Sequence, residues 1–522
     1  MSGQTCWPLI LLVVILLPGQ DNAARILGFF PVPSRSHMIV FSALTRALAE
    51  RGHELVVVNN YPLKDPPANY TDVDLWDTLK GIYDDTVNEH TYALSNLPTI
   101  TLPMLYWIEG VHFMDLVLHD PKVNQVINDT RGFDLVIVED FLTDSSFALA
   151  HHFQAPLVLI SSMGGFHWTN YAVGNAAPTS YVPNTMLSYG SKMTFFERFV
   201  NTMYQWYWDV GSTFYLMRYQ EKIKREIFPD APSIYELRRS ASLVLLNNHF
   251  SFNYPRPLVP NLVEVGGMHL KPLNRPLPID IKEWLDGAKH GVIYFSMGSN
   301  LRGTWFPERQ RKAFIEAFAE LPQRVLWKWE SDSIPDQSKN VKVYPWMPQQ
   351  EILAHPNVKV FITHGGLLGA QEAMYNAVPL ISIPVACDQY LNAKRAELGG
   401  YGLQLHLRNI TKESVKWAIK TALFDKKIRA EAKRRSEIFH DQPETPLERA
   451  VFWVEYVLRH KGAPHLRSAS LGLHWMQEAL LDVYAVMAFM SLVFMYISYL
   501  LVKRAFIKTK AKLIDFVQVV HD

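Results

Sequence analysis

Residues 483–502 run for twenty positions without a charged side chain. A helix of that length crosses a bilayer core of about 30 Å, and in lipid an unpaired backbone leaves such a segment no other extended form. Lys503, Arg504, Lys508, Lys510 and Lys512 follow directly, the basic flank that marks the cytosolic side of a span. At the other end, residues 9–17 are apolar and lead to Pro18, Gly19 and the small pair Ala23-Ala24. That run is too short for a span and reads as a secretory leader. A buried first strand is the competing reading, but residues 25–30 already supply one. The expected topology is single-pass type I, with a leader over 1–24, a lumenal body, a transmembrane helix over 479–502 and a cytosolic tail over 503–522. Asn69, Asn128 and Asn409 each open an Asn-x-Thr sequon, usable only in a lumen.

Lys and Arg total 51 against 50 Asp and Glu, so no global charge points to nucleic acid. The only cysteines are Cys6 and Cys387; with Cys6 in the leader, the mature chain holds no internal disulfide.

The body alternates between short apolar runs and helical periodicity. Residues 25–30 read as a strand, a Pro/Ser loop leads to His37, and residues 38–51 carry Ile39, Leu44, Ala47 and Leu48 at helical spacing. Residues 54–58 form the next strand, completing a βαβ opening that implies a parallel sheet. Further strands fall at 133–138 and 156–161, with a helix over 144–153 between them. Prolines at 255, 257, 260, 272, 276 and 278 mark a linker. A second βα series follows, with strands at 291–295, 324–329, 341–344, 358–363 and 379–384. The divisions are an N-terminal domain over 25–255, a linker over 256–280 and a C-terminal domain with closing helices over 281–465. Two doubly wound α/β halves place a ligand cleft at the carboxyl ends of their strands. The aromatic, helical stretch 191–223 reads either as a covering helical pair or as a greasy surface for apolar acceptors or a membrane.

One segment is far more specific. It runs Tyr344-Pro345-Trp346-Met347-Pro348-Gln349-Gln350, then Phe361-Ile362-Thr363-His364-Gly365-Gly366-Leu367-Leu368-Gly369-Ala370-Gln371-Glu372, and on through Val378-Pro379-Leu380-Ile381-Ser382-Ile383-Pro384 to Asp388-Gln389-Tyr390-Leu391-Asn392. This stretch of about forty-five residues resembles the UDP-glycosyltransferase signature, which implies two Rossmann-like domains of the GT-B type. Its chemistry agrees. A glycine pair at a strand-to-helix turn lets backbone approach a phosphate, and free N–H groups at a helix start attract it. His364 can donate to that phosphate, and Ser299 faces the same place from the neighbouring strand end.

The resemblance implies that Trp346 stacks on uracil, that Gln349 contacts the nucleoside, and that Glu372 accepts from both ribose hydroxyls. Gly366 and Gly369 complete the diphosphate turn, and Asp388 and Gln389 hold the sugar. Leu368 departs from the pattern: many family members carry Asn there. The stretch Gly365-Gly366-Leu367-Leu368-Gly369 with Gln371-Glu372 is similar to arthropod members, which typically use UDP-glucose, whereas vertebrate relatives often use UDP-glucuronate.

The resemblance also places the family's catalytic base at His37, on the loop after the first strand. An attacking hydroxyl must lose its proton there, and a carboxylate would orient the ring and stabilise the imidazolium. Asp140 is the expected partner, with Glu139 and Asp144 as alternatives. No Asp-x-Asp pair follows a strand in the C-terminal half and no His/Cys ligand cluster is evident, so the expectation is inverting transfer without metal or other cofactor. The expected partners are a UDP-sugar, a small lipophilic acceptor and a membrane, with no nucleic acid; homo-oligomerisation stays open. The predicted activity is hexose transfer from UDP-glucose, as in detoxification, at the endoplasmic reticulum membrane. The alternatives are UDP-glucuronate as donor, a catalytically silent tethered binder, or a sugar-nucleotide epimerase of the same architecture.

Overall fold

The computed structural model describes residues 23–271 and 276–521. Residues 1–22 of the expected leader, residues 272–275 of the expected linker and Asp522 lie outside the described residues. The chain divides into a compact unit ending at Arg467 and a second unit from Ser468 onward.

Among the described residues of the first unit, the strands form two sheets, both wholly parallel. The first has the order β3-β2-β1-β4-β5-β6-β7, built from β1 (Arg25–Phe29), β2 (Glu54–Asn59), β3 (Tyr70–Asp74), β4 (Leu135–Glu139), β5 (Leu157–Ser161), β6 (Leu243–Leu246) and β7 (Leu262–Glu264). The second has the order β10-β9-β8-β11-β12-β13, from β8 (Val292–Ser296), β9 (Arg324–Lys328), β10 (Val341–Tyr344), β11 (Val358–Thr363), β12 (Leu380–Ser382) and β13 (Gly402–Gln404). Strand order reverses between β1 and β4 and between β8 and β11. Those are the switch points where doubly wound sheets open a crevice at their carboxyl ends.

The strands read as unbroken apolar runs because both faces are covered. In the first sheet Leu27, Val56, Val136 and Val138 face one core layer, and Ile26, Leu55, Leu135 and Ile137 face the other. The helix Arg35–Glu50 closes the second layer with Met38, Val40, Phe41 and Leu44.

Two domain boundaries shift. Strand β7 lies inside the predicted linker yet pairs with β6 through Val244–Leu262 and its neighbours, so the first domain runs through Glu264. The helix Pro446–Arg459 falls within 281–465, but Ala450, Val451, Val454 and Val457 pack into the first domain's core. Arg51 Nη2 donates to Glu455 Oε2 at 2.9 Å and fixes that return. The helix starts cleanly because Thr445 and Glu448 cap each other's backbone N–H groups, with Pro446 at the first turn.

In the second unit the helix Leu481–His521 contains an apolar stretch of mean hydropathy 2.2, none of it buried. It fits a membrane anchor. The helix does not stop at 502 but runs on through the basic tail.

Candidate active site

The two switch points face one cleft of about 700 Å³. His37 enters it from the first turn of the helix Arg35–Glu50, just past the end of β1. Its Nδ1 lies 2.5 Å from Glu139 Oε1, at the end of β4. Nε2 makes no hydrogen bond to protein among the described residues and is the ring nitrogen left for a substrate.

The expected partnership with Asp140 is therefore corrected. Asp140 is buried and accepts from Thr169 Oγ1 at 2.5 Å, and Asp144 pairs with Arg238. Strand parity is the reason. Leu135, Ile137 and Glu139 point to the layer that holds His37's helix; Val136 and Val138 point the other way, and Asp140 follows them toward the helix His167–Val173. Burial pushes the Glu139 carboxyl above its ordinary range, and the adjacent imidazole partly offsets this. Its Oε2 has no partner among the described residues. A carboxylate so placed gains most when the ring beside it becomes positive.

Across the cleft, β11 ends at Thr363 and the helix Leu367–Tyr375 begins after Gly366. His364 fits this turn because two positions lack a side chain. A Cβ at Gly366 would sit 2.4 Å from its Nε2, and one at Gly298 would sit 2.5 Å from its Cε1. Burial, with Lys328's charge adding to it, lowers the His364 pKa to about 4. The ring is therefore neutral at physiological pH and offers one N–H beside the free backbone N–H groups of the helix start, a site suited to phosphate. Ser299 lines the same end of the cleft. Gly369 lets the helix approach Gln349, whose Nε2 would lie 3.4 Å from a Cβ there.

Farther along, Trp346 is 49% exposed, a large flat surface open at the cleft. The Arg35 guanidinium lies over its ring at 4.0 Å. Glu372 is nearly buried. Its Oε2 accepts from Gln349 Nε2 at 2.5 Å, its Oε1 from Gln350 Nε2 at 3.4 Å, and His269 Nε2 stands 3.5 Å away. Between this end and His37 sit Asp388, which accepts from Asn392 Nδ2 at 2.8 Å, and Gln389, whose Oε1 takes the Val385 N–H at 2.8 Å. That bond leaves the Gln389 amide N–H₂ as its free donor. Cys387, at φ 55°, holds a backbone conformation uncommon for a residue with a side chain, and it turns the chain into Asp388.

All the predicted cleft residues except Asp140 line this one cavity. Sequence reasoning misses several others: Tyr106, Glu109, Phe113, Phe141 and Met163 build an apolar end beside His37. Glu109 is the exception in that wall. It makes no hydrogen bond or ion pair among the described residues, and burial raises its carboxyl pKa. No motif marks these positions; the apolar composition of the helix Thr101–Leu118 hints at Tyr106 and Phe113 alone. Of the sequons, Asn128 and Asn409 are exposed, but Asn69 already donates its Nδ2 to Ala49 O and His53 O, at 2.8 and 2.6 Å. A glycan there would have to displace one of those bonds.

Two parallel α/β halves around one cleft, with a glycine-flanked strand-to-helix turn in one and a His–carboxylate pair in the other, define the fold of a glycosyltransferase of the GT-B class. Similar folds include calicheamicin glycosyltransferase CalG4, at TM-score 0.55 and 20% identity over 85% of this chain and 100% of that one. UDP-glucose: anthocyanidin 3-O-glucosyltransferase in complex with UDP matches at TM-score 0.55 and 18% identity, over 84% and 99%. The chain belongs to the UDP-glycosyltransferase family: residues 29–514 match the family described as UDP-glucoronosyl and UDP-glucosyl transferase. It is 38% identical to UDP-glycosyltransferase UGT5 of Dactylopius coccus over 472 residues, 89% of each chain. It is also 38% identical to UDP-glucosyltransferase 2 of the same insect, over 91% and 92%. Human UDP-glucuronosyltransferase 2B10 is 32% identical over 84% and 86%.

If Glu372 and His364 face the nucleotide, Glu372→Ala and His364→Ala should each weaken UDP binding by about 1.5–3 kcal/mol, the usual worth of a charge-assisted hydrogen bond. Calorimetric titration with UDP is the check; unchanged affinity in both variants would remove these residues from the donor site.

Proposed function

We propose that the protein transfers glucose from UDP-glucose to a hydroxyl group of small lipophilic acceptors, with inversion and without a metal ion. The observation that carries this reading is the His37–Glu139 pair set against an apolar pocket on one side and the His364 turn on the other, within one cleft. The acceptor oxygen attacks the anomeric carbon as the bond to the UDP oxygen breaks. Its proton passes to His37 Nε2, and Glu139 stabilises the resulting imidazolium. The leaving diphosphate gathers charge at the helix start, where backbone N–H groups and neutral His364 receive it. Those donors do the work that a cation does in sites built on paired carboxylates, and the cleft's phosphate end carries no such pair among the described residues. Trp346 would stack on uracil, Gln349 and Glu372 would hold the nucleoside, and Asp388 with Gln389 the sugar hydroxyls.

The choice of glucose rests on charge. A glucuronate donor adds a carboxylate, which needs a cationic partner when buried. Of the two cations near Asp388 in sequence, Lys394 pairs with Glu397 at 2.7 Å. Arg395 is buried against Phe252, Tyr254 and Asn392 and is not among the cleft-lining residues. Asp388 itself would repel the donor's acid. Supplied with both donors at equal concentration and one phenolic acceptor, the enzyme should form mainly glucoside. Predominant glucuronide would overturn the donor choice and leave the family assignment standing.

The apolar pocket supports conjugation and detoxification of lipophilic compounds as the role, against a silent binder that would have no use for an intact His37 pair. The predicted leader, the apolar span and its basic flank support residence in the endoplasmic reticulum membrane with the body in the lumen.

A further inference from the structure

Glu109 is a carboxylate set among rings. It lies on the helix Thr101–Leu118 with Tyr106 and Phe113, three and four positions away and so on one helical face. All three line the cleft. Phe141 completes this corner from the loop after β4, its ring centroid 6.0 Å from that of Tyr106 and 5.9 Å from that of His37. The corner is held in shape. Gln220 is fully buried, and its Nε2 donates to Gly110 O at 3.2 Å and to Leu142 O at 2.6 Å, which staples the helix to the loop. Its Oε1 accepts the Ser145 N–H at 2.8 Å. Gly110 permits the approach, since a Cβ there would sit 2.9 Å from Leu142 Cβ. Leu142, at φ 61°, turns the chain directly after Phe141.

Among the described residues nothing answers the Glu109 charge. Burial is the one cause acting on its raised pKa, and no cation pulls it back. The lining cations Arg46 and Lys328 are engaged elsewhere, with Asp65 O and with Glu330. An uncharged acceptor seated here would strip water from the carboxylate and leave it unpaired, an expensive arrangement. An acceptor with its own cation would pair that charge and lie against aromatic rings that attract it as well. We propose that this corner recognises an organic cation, so that the preferred acceptors are amphiphilic: a hydroxyl for His37 at one end and a protonated or quaternary amine for Glu109 at the other. The two ring-to-ring steps from His37 through Phe141 to Tyr106 set the spacing, that of an aryl ring and a short alkyl chain. The acceptor class rests on the reading of the cleft as a glycosyltransferase site; the cation site itself does not.

The test pairs isosteres, with the full chain in phosphatidylcholine nanodiscs and UDP-glucose as donor. Each pair is a phenol that carries, on a two- or four-carbon chain, either a trimethylammonium group or the uncharged tert-butyl group of the same shape. The quaternary group keeps its charge at every pH, so titration of the acceptor plays no part. For at least one chain length, the cation-to-isostere ratio of kcat/KM should be roughly tenfold higher in the wild type than in Glu109→Gln. Comparing the two enzymes cancels any difference in how the phenols partition into lipid. The substitution keeps the side chain's size and breaks no hydrogen bond, and UDP titration checks that the variant is folded. Equal ratios in the two enzymes at both chain lengths would overturn the cation site and assign any preference to the field of Asp388 and the rest of the cleft. Calorimetric titration of the UDP complex with the same pairs reads the site without turnover, and the affinity ratio should again be roughly tenfold higher with Glu109 present. If no phenol is glucosylated and this binding difference holds, the acceptor reading falls and the cation site stands.

Discussion

His37→Ala should lower the rate of transfer to hydroxyl acceptors by about 10²–10⁴, the usual contribution of a positioned general base, while UDP binds as before. Among the described residues the ring's partners are Glu139 through Nδ1 and the edges of Phe41 and Phe141, and none of these belongs to the proposed nucleotide end. Its loss should therefore remove the proposed proton acceptor and leave the Trp346–Glu372 end intact. The size of the defect should depend on the acceptor. An acidic phenol that is already ionised needs no base, so its rate should fall much less than that of an aliphatic alcohol. Single-turnover rates with both acceptors, alongside UDP titration, separate this from a general loss of structure. Wild-type turnover of the alcohol would remove His37 from the mechanism, and equal losses for both acceptors would make its role structural.

Much of this site is legible in the amino-acid sequence. The strand-to-helix turn at Thr363-His364-Gly365-Gly366 and the βαβ opening are local features, and local features survive in sequence. Even the space around His364 is written there as glycine, at positions 298 and 366. What stays hidden is non-local. Strand β7 pairs by only three residues, inside a proline-rich stretch that reads as linker. The helix Pro446–Arg459 has an ordinary amphipathic pattern that says nothing about which sheet it covers. The apolar end of the cleft joins Tyr106 and Glu109 of one helix to Phe141 and Met163 from two separate loops, a meeting that no local spacing announces. The His37 partner is recoverable. Counting alternation along Leu135, Ile137 and Glu139 sets Glu139 on the face covered by the helix Arg35–Glu50, whereas proximity to the loop favours Asp140.

That reassignment gives the second large effect. Glu139→Gln keeps the volume but removes the charge that favours an imidazolium beside it. The amide can also donate to Nδ1, which would hold the proton on Nε2 and leave no base facing the acceptor. An equivalent change in a serine-protease triad costs about 10⁴ in kcat, and a loss on the order of 10²–10⁴ is expected here. Asp140→Asn should behave differently. Asp140 accepts from Thr169 Oγ1 and feels the charge of Arg238, so it braces the loop after β4 against the helix His167–Val173 and does not touch the ring. Its loss should leave the rate near wild type and lower stability by roughly 1–3 kcal/mol, the cost of disturbing a buried polar partnership. Rate constants and thermal unfolding of the two variants, measured side by side, decide the matter. A slow Asp140→Asn with an active Glu139→Gln would return the partnership to Asp140. The opposite pattern fixes Glu139 as the group that sets the tautomer of His37, and with it the direction in which the acceptor's proton leaves.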